Sequence, residues 1–361
     1  METFMTRHPR FTVRGLFLFA GFCLFASGIA QQVQLNDIGT LGNNTVAKGV
    51  NDSGEVLATS NNGSANEMVT YTTQGGLINL GGLGESSSIT PTGINDNGVI
   101  VGYYSPSSNN FQPFYYNGNF SEPTISGINY SSAYFQGINA NGLIVGNAQG
   151  SPEQAFTYQI GNGSVNGYLG SYTTTHGYGI NNSGDIAGTV GLANGTTEGG
   201  VYSASSSSWT TIGILTGGNS SNGAAINNSG EVVGSSTIQV GNEIDTHAVS
   251  FFANQLHDLG TIVGSVRNSL TGASHGFYYD GHSMIDLNSL LGSNYPDYTI
   301  TNAVAISANG EYISADATLS NGAQRAVLLT VTPQAAPEPS MFILAGGVVS
   351  FAFMKRLRPS L

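Results

Sequence analysis

The 361-residue chain carries only 8% charged residues but is 40% hydrophobic, with 17 Tyr, 17 Phe and 51 Gly. That aromatic content excludes a disordered chain, and the abundance of Gly, Asn, Ser and Thr favours a turn-rich, β-rich globular body. Between Arg14 and Lys355, three basic residues (Lys48, Arg267, Arg325) stand against 20 of the 21 acidic ones, a local charge of about −17, which excludes a nucleic-acid-binding surface.

Residues 1–30 read as an export signal. Arg7, Arg10 and Arg14 form a positive start, residues 16–25 an apolar run, and Gly28-Ile29-Ala30 supplies small residues for a cut between Ala30 and Gln31. The run is shorter than the ~18–20 residues of a spanning helix, so cleavage is expected. The single cysteine, Cys23, lies in this leader. A mature chain would therefore have no disulfide, zinc–thiolate site or cysteine nucleophile.

Residues 31–332 are organised around a recurring decapeptide, seen as Gly93-Ile94-Asn95-Asp96-Asn97-Gly98-Val99-Ile100-Val101-Gly102. Its Asn-Gly pair suits φ > 0, and the β-branched flanks make it a hairpin signal. Copies begin at Gly49, Gly137 and Gly179, and weaker ones at Ala225 and Ala305. A period of about 40–45 residues with strand-like units predicts a propeller. Within the second copy the pattern predicts strands at 88–94, 99–103 and 111–116 and a weaker one ending at 125. The aromatic third strand recurs as Met68-Val69-Thr70-Tyr71, Pro113-Phe114-Tyr115-Tyr116, Ala155-Phe156-Thr157-Tyr158, Gly200-Val201-Tyr202, His247-Ala248-Val249-Ser250-Phe251, His275-Gly276-Phe277-Tyr278-Tyr279 and Arg325-Ala326-Val327-Leu328-Leu329. A closing segment recurs as Asp37-Ile38-Gly39-Thr40-Leu41-Gly42, Asn79-Leu80-Gly81-Gly82-Leu83-Gly84, Thr211-Ile212-Gly213-Ile214-Leu215, Asp258-Leu259-Gly260-Thr261 and, over residues 285–290, Ile285-Asp286-Leu287.

Closing segment, Gly-Ile-Asn turn and aromatic strand, in that order, resemble the HAF repeat family of bacterial extracellular proteins. The resemblance spans roughly residues 33–331 and implies a β-propeller-like body outside the cell; it carries no established catalytic or ligand residue. Thr261 runs directly into Ile262-Val263-Gly264, without an intervening Gly-Ile-Asn turn. The expectation is therefore an all-β propeller of about seven blades, six of four strands and one shortened. The chain opens on a closing-type strand at 33–38 and ends after an aromatic-type strand at 326–332, so the first strand is expected to complete the last blade and seal the ring. An open β-solenoid is the rival architecture.

Residues 333–340 form a Pro-rich linker containing Pro337-Glu338-Pro339. Residues 341–354 are an uncharged apolar run, expected to be a short hydrophobic helix, and Lys355-Arg356-Leu357-Arg358 follows at once. This order resembles the PEP-CTERM sorting signal of Gram-negative bacteria. The resemblance implies recognition by a membrane-embedded exosortase through Pro337, Glu338, Pro339, Lys355, Arg356 and Arg358. It further implies transient anchoring of 341–361 in the inner membrane, cleavage near the motif, and release to the cell surface or extracellular matrix. A retained single-pass anchor is the alternative.

Signals for chemistry in the body are sparse. Asp52, Asp96 and Asp185 lie in or beside the Gly-Ile-Asn turns, but no copy has the ligand spacing of an EF-hand, and Asn and Asp favour turns through their own backbone. His247 and His275 head aromatic strands and are expected to hydrogen-bond a neighbouring blade. The remaining body histidines, His176, His257 and His282, form no metal-binding motif. Ser, Asp and His are all present, but a catalytic triad does not follow from composition. Asp37, Asp258 and Asp286 repeat at one position and read as architecture. The aromatic strands are expected to pack between blades. Trp209, expected on a Ser-rich loop (residues 205–208), is the best single candidate for an exposed aromatic contact. No cofactor or metal is expected. The function expected is a non-enzymatic surface or matrix protein, processed by exosortase and associated with exopolysaccharide. The alternatives are a glycan-active enzyme, requiring acids that converge at one end of a central channel, and a calcium-stabilised adhesion module.

Overall fold

A computed structural model describes residues 31–333 except 84–87, 108–109, 169, 241–242, 261–264, 268–273, 280–283 and 308–310. The leader before Gln31, the Pro337-Glu338-Pro339 motif, the expected apolar helix, Lys355, Arg356, Arg358 and His282 lie outside the described residues. Gln31–Thr332 forms the folded unit.

The strands follow the repeat. After β1 (Gln31–Asp37) come β2 (Thr45–Val50), β3 (Val56–Asn61), β4 (Asn66–Thr72) and β5 (Gly76–Gly81), which pair in sequence as antiparallel blade 1. Blade 2 is β6 (Ser88–Ile94), β7 (Ile100–Ser107), β8 (Asn110–Tyr116) and β9 (Phe120–Ser121). Blade 3 is β10 (Ser132–Ile138), β11 (Leu143–Gln149), β12 (Gln154–Gln159) and β13 (Val165–Gly167). Blade 4 is β14 (Thr174–Ile180), β15 (Ile186–Gly191), β16 (Thr197–Ser203) and β17 (Ser208–Gly213). Blade 5 is β18 (Ser221–Ile226), β19 (Val232–Val240), β20 (Glu243–Phe252) and β21 (Gln255–Gly260). A three-stranded sheet follows: β22 (Ser265–Arg267), β23 (Ser274–Tyr279) and β24 (Met284–Asp286). Then come helix α1 (Leu287–Leu291), a 3₁₀ turn (Gly292–Asn294), β25 (Tyr298–Ile306), β26 (Tyr312–Leu319) and β27 (Gln324–Pro333). β1 returns to pair with β27, giving blade 6 the order β1-β27-β26-β25.

The body is thus an all-β propeller whose closing strand comes from its N-terminal end. The blades number six, all four-stranded, rather than the expected total of about seven with one shortened. Among the described residues the unit expected to be the shortened blade shows three strands of only 3–6 residues, in keeping with the Gly-Ile-Asn hairpin missing from its sequence. A second departure is α1. The expected closing segment at 285–290 stops as strand at Asp286, whose side chain accepts from Asn288 N and caps the helix. Leu287 and Leu291 of α1 pack with Val33 and Leu35 of β1 in one core cluster.

Strands packed on both faces lose the usual alternation of buried and exposed residues: all six residues of β15 are buried. The first strands approach one another in the order β25, β2, β6, β10, β14, β18 and so line the centre of the ring. Each carries a bulge near its end, as between Ala47 and Gly49, Pro91 and Gly93, or Gly177 and Gly179, which bends the strand and re-aims the residue between. The last Gly of the decapeptide has a steric cause. A Cβ on Gly188 would stand 1.8 Å from the carbonyl oxygen of His176 on the paired strand. In blades 1 and 6 the same position is a fully buried alanine, Ala58 or Ala315.

Candidate functional site

Antiparallel order puts the turns between first and second strands on one face of the ring. There the Gly-Ile-Asn turns of five blades meet around a hollow of about 350 Å³. Val50, Ile94, Ile138, Ile180 and Ile226 contribute apolar walls, and Asn51, Asn95, Asn139, Asn181 and Asn227 the polar ones. Each of these asparagines folds its own turn: Asn95 Oδ1 accepts from Asn97 N at 3.1 Å and Val99 N at 3.0 Å. Each of the first four also reaches the next blade. Asn51 Nδ2 donates to Asn95 O at 3.1 Å, Asn95 to Asn139 O at 3.0 Å, Asn139 to Asn181 O at 2.9 Å and Asn181 to Asn227 O at 3.3 Å. The first four are 3–5% exposed; Asn227, at the end of the relay, is exposed. In blade 6 the position is Ser307, whose Oγ accepts from Tyr312 N at 3.1 Å.

A second tier lies at the rim. Asp96 Oδ1 accepts from Asp52 N, and Asn182 Oδ1 from Ala140 N, both at 3.0 Å; Asn228 Oδ1 accepts from Asn182 N at 2.9 Å. Asp52 and Asp96 are the carboxylates lining this hollow, and their counterparts Ala140, Asn182 and Asn228 are neutral. Asp185 is turned to its own blade, accepting from Ala204 N at 2.9 Å. Among the described residues no group of three or more His, Cys, Asp or Glu side chains is placed to hold a metal ion.

Part-way along the first strands, polar and aromatic groups of blades 2, 3 and 4 gather. His176 on β14 lies 2.9 Å from Glu153, in the loop between β11 and β12. Its ring stacks on Tyr178 with centroids 6.5 Å apart, and Tyr103 contacts Tyr134 at 5.6 Å. Burial pushes the Tyr134 hydroxyl up to about 12, with Tyr178, Glu153 and Tyr103 adding to the effect, so it stays a neutral donor across the physiological range.

The third feature lies in the groove between blades 3 and 4, at their outer strands. Tyr168, Ser171 and Tyr172 come from the connection between β13 and β14; Tyr202 from β16; Ser208 and Trp209 from β17. The groove encloses about 650 Å³. Tyr168 and Tyr202 rings are 4.3 Å apart, and Trp209 meets Tyr202 edge-on at 5.7 Å. Trp209 Nε1 donates to Tyr168 O at 2.8 Å.

Several expectations change here. Trp209 is a strand residue paired with Tyr202, not a loop residue, and only 8% exposed. Its strand neighbours Ser208 and Thr210 are exposed while the indole turns inward, as strand alternation requires. The described partner of His275 lies in its own sheet, where Nδ1 is 2.8 Å from Asp286 Oδ2. The architectural reading of the repeated acids holds for the two whose contacts are described: Asp37 Oδ1 accepts from Gly39 N at 2.8 Å and Asp286 Oδ1 from Asn288 N at 2.9 Å. Phe114 and Phe156 are fully buried, as expected for packing.

No protein-family model and no curated protein sequence matches the chain. Among solved structures, an oligogalacturonate lyase in complex with manganese aligns at a TM-score of 0.50 and 9% identity, over 83% of this chain and 93% of that one. A gluconolactonase from Xanthomonas campestris aligns at 0.44 and 9%, over 85% and 93%. TolB from Acinetobacter baumannii aligns at 0.44 and 13%, over 60% of this chain and 54% of TolB, so the match spans about half of TolB's length. At such identities the likeness speaks for the propeller fold alone.

Proposed function

We propose that this chain is an exported, non-catalytic propeller, sorted by exosortase through its Pro337–Arg358 tail and placed at the cell surface or in an exopolysaccharide matrix. The observation that carries the non-catalytic part is the fate of the repeat motif. The side-chain amides of its asparagines, the most regular polar groups in the sequence, are engaged in folding their turns and bonding blade to blade. A motif repeated for mechanical reasons suits a binding or structural body. The sorting part is supported by the order of motif, apolar run and basic end in residues 337–358.

The test is mass spectrometry of the protein released by cells with and without exosortase. The expected product begins at Gln31 and ends near Pro339, and loss of exosortase leaves residues 341–358 attached. A released chain with that tail intact in normal cells overturns the sorting reading.

A further inference from the structure

We propose that the groove between blades 3 and 4 binds a neutral glycan, as a run of uncharged pyranose rings. This rests on the reading of the chain as a matrix protein and names the ligand that such a body would hold. Sugar rings present an apolar C–H face and a rim of hydroxyls. They are held where aromatic faces sit beside small polar groups. The groove has that composition: Tyr168, Tyr172, Tyr202 and Trp209 line it, with Asn166, Ser171, Ser207 and Ser208 around them.

Its geometry is fixed before any ligand arrives. The Trp209 indole is anchored on Tyr168 O, and Tyr168 OH lies 2.8 Å from Thr157 Oγ1. Tyr172 and Tyr168 remain partly exposed over the buried Tyr202 and Trp209, so two ring surfaces face the opening. A rigid aromatic floor lowers the ordering cost of binding. The volume, about 650 Å³, falls in the ordinary range for ligand sites.

Charge selects among glycans. Among the described residues no acidic or basic side chain lines this groove, although the chain as a whole carries −12. Nothing in the groove pairs with a carboxylate or sulfate, and the acidic surroundings repel polyanions. The comparable hollow on blade 6, of about 720 Å³, has no aromatic lining among the described residues and carries Asp297. The inference therefore belongs to the blade 3–4 groove.

Trp209 is the only tryptophan in the chain, so its fluorescence reports on this groove directly. The experiment titrates the purified chain with cellohexaose, laminarihexaose and maltohexaose as neutral probes and with hexagalacturonate as the anionic one. A saturable change with at least one neutral probe, and none with hexagalacturonate, is expected. Tyr172→Ala should weaken that binding about tenfold, the loss of one aromatic contact. Ser171→Gln, an exposed change that fills the opening, should do likewise. Ser171→Gln should leave the melting temperature within about 2 °C of wild type, since Ser171 is exposed; Tyr172 packs against the cluster that holds Trp209, so Tyr172→Ala is titrated well below its own melting temperature. Silence with all neutral probes, equal binding of hexagalacturonate, or wild-type binding by Tyr172→Ala and Ser171→Gln overturns the proposal. The sorting reading is judged by the mass of the released chain, so either can fail alone.

Discussion

Asn95 donates its side-chain amide to the backbone carbonyl oxygen of Asn139, 3.0 Å away in the next blade. The same side chain holds its own turn through Oδ1, so one residue type serves hairpin and ring at once. Asparagine is suited to this because its amide offers an acceptor and a donor on one short stem. Aspartate would keep the turn and lose the bridge; serine has too little reach for both.

The first prediction follows from that double role. Asn139→Ala removes the acceptor for Asn141 N and Leu143 N and breaks the bridge to Asn181 O, which keeps only its bond from Gly184 N, at a 4% exposed site. Buried partners left unpaired cost more than the bond itself, so a loss of about 2–3 kcal/mol is expected in urea unfolding. Asn139→Asp should lose about half of that. Asn227→Ala, at the exposed end of the relay, should cost about 1 kcal/mol or less. Equal losses for Asn139→Ala and Asn227→Ala would contradict a relay anchored in buried bonds.

The second prediction concerns Gly188. Its added Cβ would meet the His176 carbonyl oxygen at 1.8 Å and the Gly177 Cα at 3.2 Å, backbone atoms that cannot turn aside. Gly188→Ala should therefore force β14 and β15 apart, at about 3 kcal/mol or more. Gly63→Ala is the comparison, since a Cβ there meets nothing within 4 Å although its φ is +98°. Its cost should be only that of the left-handed backbone, about 1 kcal/mol. Thermal melts of the two variants separate steric exclusion from backbone strain.

Much of this fold is legible in the sequence because its punctuation is local. Asn97-Gly98 announces a turn with its own two residues, and Gly98 indeed takes φ +75°. Ring closure was readable too, since a lone closing strand at one end and a missing one at the other leave a single way to avoid an open edge. What could not be read is whatever depends on two repeats at once. The partner of Asn51 Nδ2 lies 44 residues away, and no local pattern distinguishes a bridging asparagine from one that only makes a turn. The groove is invisible for the same reason: Tyr168 and Trp209 belong to adjacent blades. The serines at 205–207 do form a turn, but β17 already begins at Ser208, so Trp209 falls on the inward side of a strand.

The third prediction tests closure. Val33 and Leu35 of β1 are 8% and 7% exposed and pack among Ile313, Val327 and Leu329 of blade 6. Leu35 N also donates to Tyr295 OH at 3.1 Å, and Tyr298 OH to Asp37 Oδ2 at 2.9 Å. Deleting residues 31–37 bares the edge of β27 together with this apolar face, a template for association between chains. The truncated chain should elute as aggregates in size-exclusion chromatography. Leu35→Ala, which keeps the strand, should remain monomeric and lose about 2–4 kcal/mol. A monomeric, fully stable truncation would show that β1 does not seal the ring.

The fourth prediction turns on Asp316 in β26, whose Oδ1 accepts from Ala47 N at 3.0 Å across the joint between blades 6 and 1. Burial raises its carboxyl above the ordinary range, outweighing the hydrogen bonds from Ala47 and Asn302 and the charge of Lys48, which lower it. Ionising the group is therefore harder in the folded ring than in the unfolded chain. Its contribution to stability is fully present below the ordinary carboxylate pKa and is lost as pH rises through the raised one. Blade 3 solves the same joint with a neutral residue: Asn147 donates to Gly177 O at 2.9 Å and accepts from Gly177 N at 2.8 Å. Asp316→Asn should reproduce that pair against Ala47. At pH 8 the variant should melt about 1–3 °C above wild type. The difference should shrink as pH falls and wild-type Asp316 takes up its proton. A gain that does not change with pH would mean that packing, rather than the buried charge, sets the stability of this joint.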